Sequence, residues 1–265
     1  MKKRSLYFFI FPLFLGEFLL CGGWTWEEKN GEILIQSEKN LKLPLGRDLL
    51  FPKISFSWDT GEVIGKTDKW FFITKSHNLY YLDGYLIANK TYSLPSDYEP
   101  QDTFVAIQGK NNCEQCIHTI AYRAFERMKN TAKQEGVSLF IASGYRSYRK
   151  QKELYQNYVK RDGKKAADRY SARPWNSEHQ TSLAFDLNQV SSEFEYTKAG
   201  KWLNTNAYKF GFILRYPKGK EKNTWYMYES WHFRYVGTEL SYKLWNEGNR
   251  LSLEEYFGID SHYPD

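Results

Sequence analysis

Residues 177–188 read SEHQTSLAFDLN. From Leu183 onward the residues alternate: Leu183, Phe185 and Leu187 fall on one face of an extended segment, Ala184, Asp186 and Asn188 on the other. The segment reads as a strand whose apolar face enters a core while Asp186 projects from the opposite face. His179 and Asp186 have opposite parity, so one regular strand cannot aim both at a single point. The polar residues between them, Gln180 to Ser182, must therefore turn the chain and reorient it.

A second strand-like run, MYESWHFRYVG (residues 227–237), puts His232 and Arg234 on one face and Trp231, Phe233 and Tyr235 on the other. Glu229 and His232 also differ in parity. They converge only if Glu229 lies at a turn or bulge entering the strand. Two imidazoles and one carboxylate, His179, Asp186 and His232, with an open fourth position make a chemically sound catalytic zinc site, and an unligated glutamate nearby is the usual base. The alternative is that both histidines are satisfied core or surface residues and Asp186 is a turn cap. Spacing alone leaves both readings open.

The rest of the chain sets the frame. At 265 residues and 42% apolar, it is long enough for one core, or one core and a small satellite. An aromatic share of 18% favours strands and aromatic-lined grooves over a plain helical bundle. The net charge of +6 suits an anionic partner, but no nucleic-acid recognition motif is present, so nucleic acid is not an expected partner. At the N-terminus, Lys2, Lys3 and Arg4 precede an apolar run from Leu6 to Leu15. Residues 1–23 are read as an export signal or membrane anchor, the run being short of the about 20 apolar residues that a span needs. The mature protein is then expected outside the cytoplasm, periplasmic or bound to the cell envelope. Cys21 is a candidate lipid attachment point, although Phe18-Leu19-Leu20 lacks the small residue expected before a lipobox cysteine. Cys113 and Cys116, in NNCEQCIH, either close a short disulfide or form a redox or metal CxxC; with only His118 nearby, the structural role is favoured.

Residues 24–88 carry strand-like runs and turn signals and are read as a small β-rich accessory region. Residues 89–102, NKTYSLPSDYEPQD, read as an extended connector because of Pro95 and Pro100. Beyond it, CIHTIAYRAFERMKNTAKQEG places Ile117, Ile120, Ala121, Ala124, Phe125 and Met128 on one helical face and ends at Gly136. VSLFIASGYRS is a buried strand breaking at Gly144, and YRKQKELYQNYVKRDG is an amphipathic helix stopped by Asp162 and Gly163. The tetrapeptide SYRK, Ser147 to Lys150, matches a Ser-x-x-Lys serine-peptidase motif. Its companion Lys-Thr-Gly is absent from the sequence, so a serine mechanism is not expected.

These motifs together resemble the VanY-type D-alanyl-D-alanine carboxypeptidases, zinc peptidases with the pattern Ser-x-His-x-x-Gly-x-Ala-x-Asp followed by Glu-x-x-His. Here Ser177, His179, Ala184, Asp186, Glu229 and His232 match it, and the likeness runs from about Asn89 to Gly258. Ser182 stands where the family usually has glycine, and Trp175 where glycine often follows the proline. The resemblance implies an α+β fold over 89–265, hedgehog/D,D-peptidase-like, with an antiparallel sheet bearing the zinc site and helices around it. It implies Zn2+ on His179, Asp186 and His232, Glu229 as general base and then acid, and Arg146 steadying the substrate carbonyl and its developing charge. Gln151, Ser177 and Tyr216 are implied substrate contacts. The implied activity is removal of the C-terminal D-alanine from peptidoglycan stem peptides by D,D-cleavage; a monomer is expected. The rivals are an L,D-carboxypeptidase or peptidoglycan endopeptidase on the same scaffold, and a non-catalytic wall-binding protein with a structural zinc.

Overall fold

The computed structural model describes residues 24–29, 32–37, 61–101, 103–105 and 116–264. The chain forms two compact units, Met1–Phe51 and Pro52–Asp265. In the first, β1 (Trp24–Lys29) and β2 (Glu32–Ser37) make an antiparallel hairpin, paired from Trp24 with Ser37 to Lys29 with Glu32. The expected leader over 1–23 with Cys21, and Cys113, lie outside the described residues. Cys116 is disulfide-bonded. No helix among the described residues is long and apolar enough to cross a membrane.

The second unit opens with an antiparallel meander, β3 (Glu62–Lys66), β4 (Phe72–Ser76), β5 (Leu79–Leu82) and β6 (Tyr85–Ile87), in that spatial order. Its two tight turns place His77-Asn78 and Asp83-Gly84 in the left-handed region, the conformation that matches the twist of paired strands. Leu82 and Ile87 pack with Ile213, Leu240, Leu253 and Phe257, while Leu79 and Leu86 join the larger core around Phe125 and Phe185. The stretch read as an accessory region over 24–88 thus divides. Residues 61–88 fall within the second unit, and Leu79, Leu82, Leu86, Ile87 and Ala88 are buried in its cores, whereas Val63, Ile64, Trp70 and Phe72 of the earlier strands and turn are exposed.

A short pair, β7 (Thr103–Val105) with β8 (Cys116–His118), leads into α1 (Thr119–Gln134). The helix begins at Thr119, two residues after Ile117, the first residue of the face its periodicity suggests. Ile117 is fully buried from a strand, and the His118 side chain caps the helix by accepting from Ile120 N–H. Ala121, Ala124, Phe125 and Met128 form the buried face as expected. After β9 (Ile141–Ser143), α2 (Tyr148–Asp162) starts at Ser147, whose hydroxyl caps it by accepting from Lys150 N–H, and stops at Gly163 with φ 81°. Ser147 therefore has a helix-capping role. The chain continues through α3 (Lys164–Tyr170), β10 (Ala184–Leu187), α4 (Lys198–Asn206), β11 (Phe212–Leu214), α5 (Glu221–Thr224), β12 (His232–Tyr235), α6 (Thr238–Trp245) and α7 (Leu253–Phe257).

The central sheet has the order β11-β12-β10-β9, all antiparallel. Phe185 and Leu187 of β10 enter the core as the alternation requires, Phe185 meeting Phe125 and Phe212 edge to face. Each such burial stabilises by about 1.5–3 kcal/mol. The architecture is α+β with antiparallel sheets, as expected. The connector after Ala88 is tied down by side chains and backbone of the loop before β10: the Asn176 amide donates to Asn89 O (2.7 Å), the Gln180 amide donates to Pro95 O (3.0 Å), and Leu94 N–H donates to the Trp175 carbonyl (2.7 Å).

One close approach is testable. Helix α4 crosses the short 3-10 turn Ser192–Tyr196 so tightly that a Cβ on Gly200 would lie 2.0 Å from Phe194 O. Helix propensity favours alanine over glycine by about 1 kcal/mol. Overpacking against backbone costs about 1–3 kcal/mol and more at such a distance. Gly200→Ala should therefore lower the urea unfolding midpoint; an unchanged or raised midpoint would show that the two segments separate freely.

Candidate metal centre and active site

His179 is carried on a 3-10 turn, Glu178–Thr181, and not on the strand that follows. Ser182 closes that turn in the left-handed conformation, φ 57° and ψ 8°, and so reverses the chain into β10. This is the reorientation that the opposite parity of His179 and Asp186 demands. Trp175, at the head of the same loop, has φ 77°. Both positions where the chain departs from the family's usual glycine thus keep a glycine-like backbone, at a cost of about 1–2 kcal/mol each.

Asp186 sits on β10 directly opposite His232, the first residue of β12. His179 Nδ1–H donates to Gly144 O at 2.7 Å, and since a carbonyl only accepts, Nε2 is left with its lone pair. That Nε2 lies 3.5 Å from Asp186 Oδ2. His232 presents Nδ1 to Asp186 Oδ1 at 3.4 Å, and the two imidazole rings stand nearly perpendicular, 4.9 Å apart. The ligand atoms of His179, Asp186 and His232 all fall within 4.8 Å of one another and all three residues are buried. Asp186 Oδ1 has no hydrogen-bond partner among the described residues. A buried carboxylate oxygen left so is costly unless a cation satisfies it. Two nitrogens and one oxygen suit Zn2+ with a further position open.

Glu229 lies in the turn that enters β12, its carbonyl accepting from His232 N–H, so that its carboxylate comes within 3.5 Å of His232 Nδ1. Burial, opposed by the charges of His232 and Arg146 and reinforced by Asp186, pushes Glu229 up to about 7. Asp186 behaves in the opposite way: burial would raise it, yet His179 and His232 hold it well below the usual carboxylate range. Burial and then Arg146 lower His179. His232, despite burial, is held up to about 9 by Asp186, Glu178 and Glu229.

Arg146 follows β9 and reaches the centre from the side, with Nη2 3.9 Å from Asp186 Oδ2 and 3.3 Å from Ser143 Oγ. Its Nη1 donates to Gln151 Oε1 at 2.9 Å. Gln151, the buried residue of α2, donates in turn to Ala172 O and Ser171 Oγ. Its amide therefore aims the guanidinium. Ser177 is buried at the start of the His179 turn, and the buried Tyr216 ring stacks obliquely on His232, centroids 4.9 Å apart. The structure thus brings His179, Asp186, His232, Glu229, Arg146, Gln151 and Tyr216 together through a chain of contacts, and places Ser177 two residues before His179 on the same turn. Sequence reasoning missed what lies behind this site: Glu178, buried with Arg215, Arg234 and Glu254. Arg234 on the His232 face of its strand was the one local sign.

The chain matches the VanY profile, D-alanyl-D-alanine carboxypeptidase, over residues 114–238. It is 43% identical over 182 residues to the Bacillus subtilis protein YodJ, a match covering 64% of this chain and 66% of YodJ. Among solved structures, the LdcB LD-carboxypeptidase superposes with a TM-score of 0.63 at 38% identity, covering 72% of this chain and 94% of LdcB. The vancomycin-resistance D,D-pentapeptidase VanY of a VanB-type cassette, solved with Zn(II), superposes with a TM-score of 0.55 at 32% identity, covering 64% and 96%.

Replacing His179, Asp186 or His232 by alanine should strip the bound metal from the purified protein. Loss of a supporting contact alone costs about 10–100-fold in metal affinity, so loss of a ligand should exceed that. Metal analysis of the three variants checks it; a wild-type metal content in all three would remove the site.

Proposed function

Because the chain belongs to the VanY family of zinc carboxypeptidases, we propose that it is a metallopeptidase that removes the C-terminal D-alanine from peptidoglycan stem peptides by D,D-cleavage. The observation that carries this reading is Glu229. A structural zinc site closes with four protein ligands and has no use for an unligated carboxylate raised towards neutrality 3.5 Å from a ligand imidazole. His179, Asp186 and His232 would hold Zn2+, which when bound supplies Lewis acidity to the scissile carbonyl and acidifies water. Glu229 Oε2 takes the proton from the attacking water and returns it to the leaving amine. Arg146, held by Gln151, offers its guanidinium to the carbonyl oxygen as negative charge develops there. Ser177 and Tyr216 line the site as substrate contacts.

Matched relatives such as YodJ are covered over 66% of their length, and the remaining attributes rest on this sequence. The Lys2-Lys3-Arg4 cluster and the apolar run after it support export through residues 1–23, with work in the periplasm or at the envelope and anchoring through that segment or a lipid on Cys21. The protein is proposed to act as a monomer. A second reading, L,D-cleavage of tetrapeptide stems, is favoured by one observation: the fit to the LdcB LD-carboxypeptidase, TM-score 0.63, exceeds that to the D,D-pentapeptidase, 0.55.

Glu229→Gln should keep its metal and its fold while kcat falls about 100 to 10,000-fold, since an amide cannot take the proton. In the wild type, the base must be ionised. Activity should therefore rise with pH along an acid limb whose midpoint lies at or below about 7, because a nearby metal cation favours the ionised form. A kcat/KM flat between pH 4 and 8, or a Gln variant with near-normal turnover, would place the base elsewhere. Weighing the products from defined tri-, tetra- and pentapeptide stems tests the substrate: release of D-alanine from the pentapeptide is expected, release from the tetrapeptide alone selects L,D-cleavage, and an internal cut makes the protein an endopeptidase.

A further inference from the structure

The two oxygens of the Glu178 carboxylate have different surroundings. Oε1 accepts from Arg215 Nε at 2.8 Å and from Arg234 Nη1 at 3.1 Å. Oε2 has no hydrogen-bond partner among the described residues, and neither has the atom it faces, His232 Nε2, 3.7 Å away. The other nitrogen of that ring, Nδ1, points at Asp186 and Glu229. Glu178, Arg215, Arg234 and Glu254 are each at most 2% exposed, and their charges cancel. Arg215 reaches Glu254 with two hydrogen bonds, of 2.9 and 2.6 Å, and Arg234 Nη2 is tied to Leu86 O at 2.8 Å.

We propose that Glu178 is a positioning residue for the metal ligand His232: its Oε2 receives the Nε2–H of the imidazole, and the two arginines on Oε1 set where that oxygen points. The inference rests on the assignment of His232 as a ligand through Nδ1. Three features support it beyond packing. A buried ionic cluster serving stability alone has little reason to leave one carboxylate oxygen unpaired, since such an orphan costs about 1–3 kcal/mol or more and well-packed apolar residues do as well as buried ion pairs. The orphaned oxygen faces the one ring nitrogen that also lacks a partner, and closing 3.7 Å to hydrogen-bond length needs a shift of about 0.5–1 Å. A ligating imidazole whose second nitrogen donates to a carboxylate has its tautomer and ring plane fixed and its basicity raised. His179 receives the equivalent support from Gly144 O. One turn thus serves both ligands: His179 enters the site directly, and its neighbour Glu178 stands behind His232.

The test compares Glu178→Gln, Glu178→Asp and Glu254→Gln with the wild type in the full-length protein. Zinc affinity is read by chelator competition, the thermal midpoint is read on metal-free protein, and the visible spectrum is read after Co2+ substitution. Glu254→Gln disrupts the same buried cluster without touching His232, so it should lower the thermal midpoint and leave zinc affinity and the Co2+ spectrum as in the wild type. Both Glu178 variants should bind zinc about 10–100-fold more weakly and alter the Co2+ spectrum. If the Gln variant does not fold, the Asp variant decides, since it keeps the charge and withdraws the carboxylate by one methylene. Wild-type zinc affinity in the Glu178 variants, or a loss in Glu254→Gln that follows its loss of stability, overturns the proposal. Retention of zinc by His232→Ala would instead overturn the ligand assignment on which it rests.

Discussion

Asp186 and His232 stand opposite each other across the β10–β12 ladder, and that one register decides where the centre can be. Side-chain period in a strand is two, so a slip of one residue would turn Asp186 into the core and bring Phe185 to the face now held by the carboxylate. The slip is prevented on the other side of the sheet. Phe185 and Leu187 fill the core with Phe125, Phe212 and Phe233, and the apolar contacts that pin the strands there also hold the two ligands in line. The third ligand needs no ladder. It arrives on a turn whose reversal depends on the left-handed backbone of Ser182.

Bringing so many ionisable groups into a dry space is feasible only because their charges are matched group by group. In front, Asp186 is kept ionised by the imidazoles beside it, while Glu229, with burial dominating, is pushed up to about 7. Two carboxylates a few ångströms apart are thereby given separate tasks, one as a permanent anion for a cation and one as a group that can exchange a proton near neutrality. Behind, burial works against Glu178, yet Arg215 and Arg234 hold its carboxyl well below the usual range. The neutral sum of Glu178, Glu254, Arg215 and Arg234 lets four charges lie beneath the site without a net field that would repel a metal cation.

The loops around the centre are held by backbone partners contributed from outside the central sheet. Residues 89–98 accept hydrogen bonds from Asn176 and Gln180, and the backbone of Leu94 is bound to Trp175. The buried Lys90 ammonium donates to Asp168 O at 2.6 Å and to Trp225 O, and lies 4.1 Å from the Tyr226 ring centre, joining residue 90 to two segments distant in the sequence. A segment that reads as a connector in the sequence is thus a strap across the ligand-bearing loop. Rigid support of this kind is what a site on loops requires if its groups are to keep their geometry.

The sequence by itself determined the elements whose causes are local. The alternation in LAFDL set the strand and its two faces, the helical spacing from Ala121 to Met128 set the buried side of α1, Gly163 set the end of α2, and opposite parity required a turn before Asp186 and a turn or bulge at Glu229. These follow from dihedral preferences and side-chain periodicity, which neighbouring residues carry on their own. Tertiary structure alone decided that Leu79, Leu82, Leu86 and Ile87 join the cores, that Ile117 is buried from a strand and not from the helix, and that Gln151 aims Arg146. It alone decided the setting of Glu178, whose arginines lie 37 and 56 positions away along the chain. Which distant charges meet depends on how the whole core closes, because a buried carboxylate takes its partners from whatever segments that closure brings alongside it, and no local pattern records them.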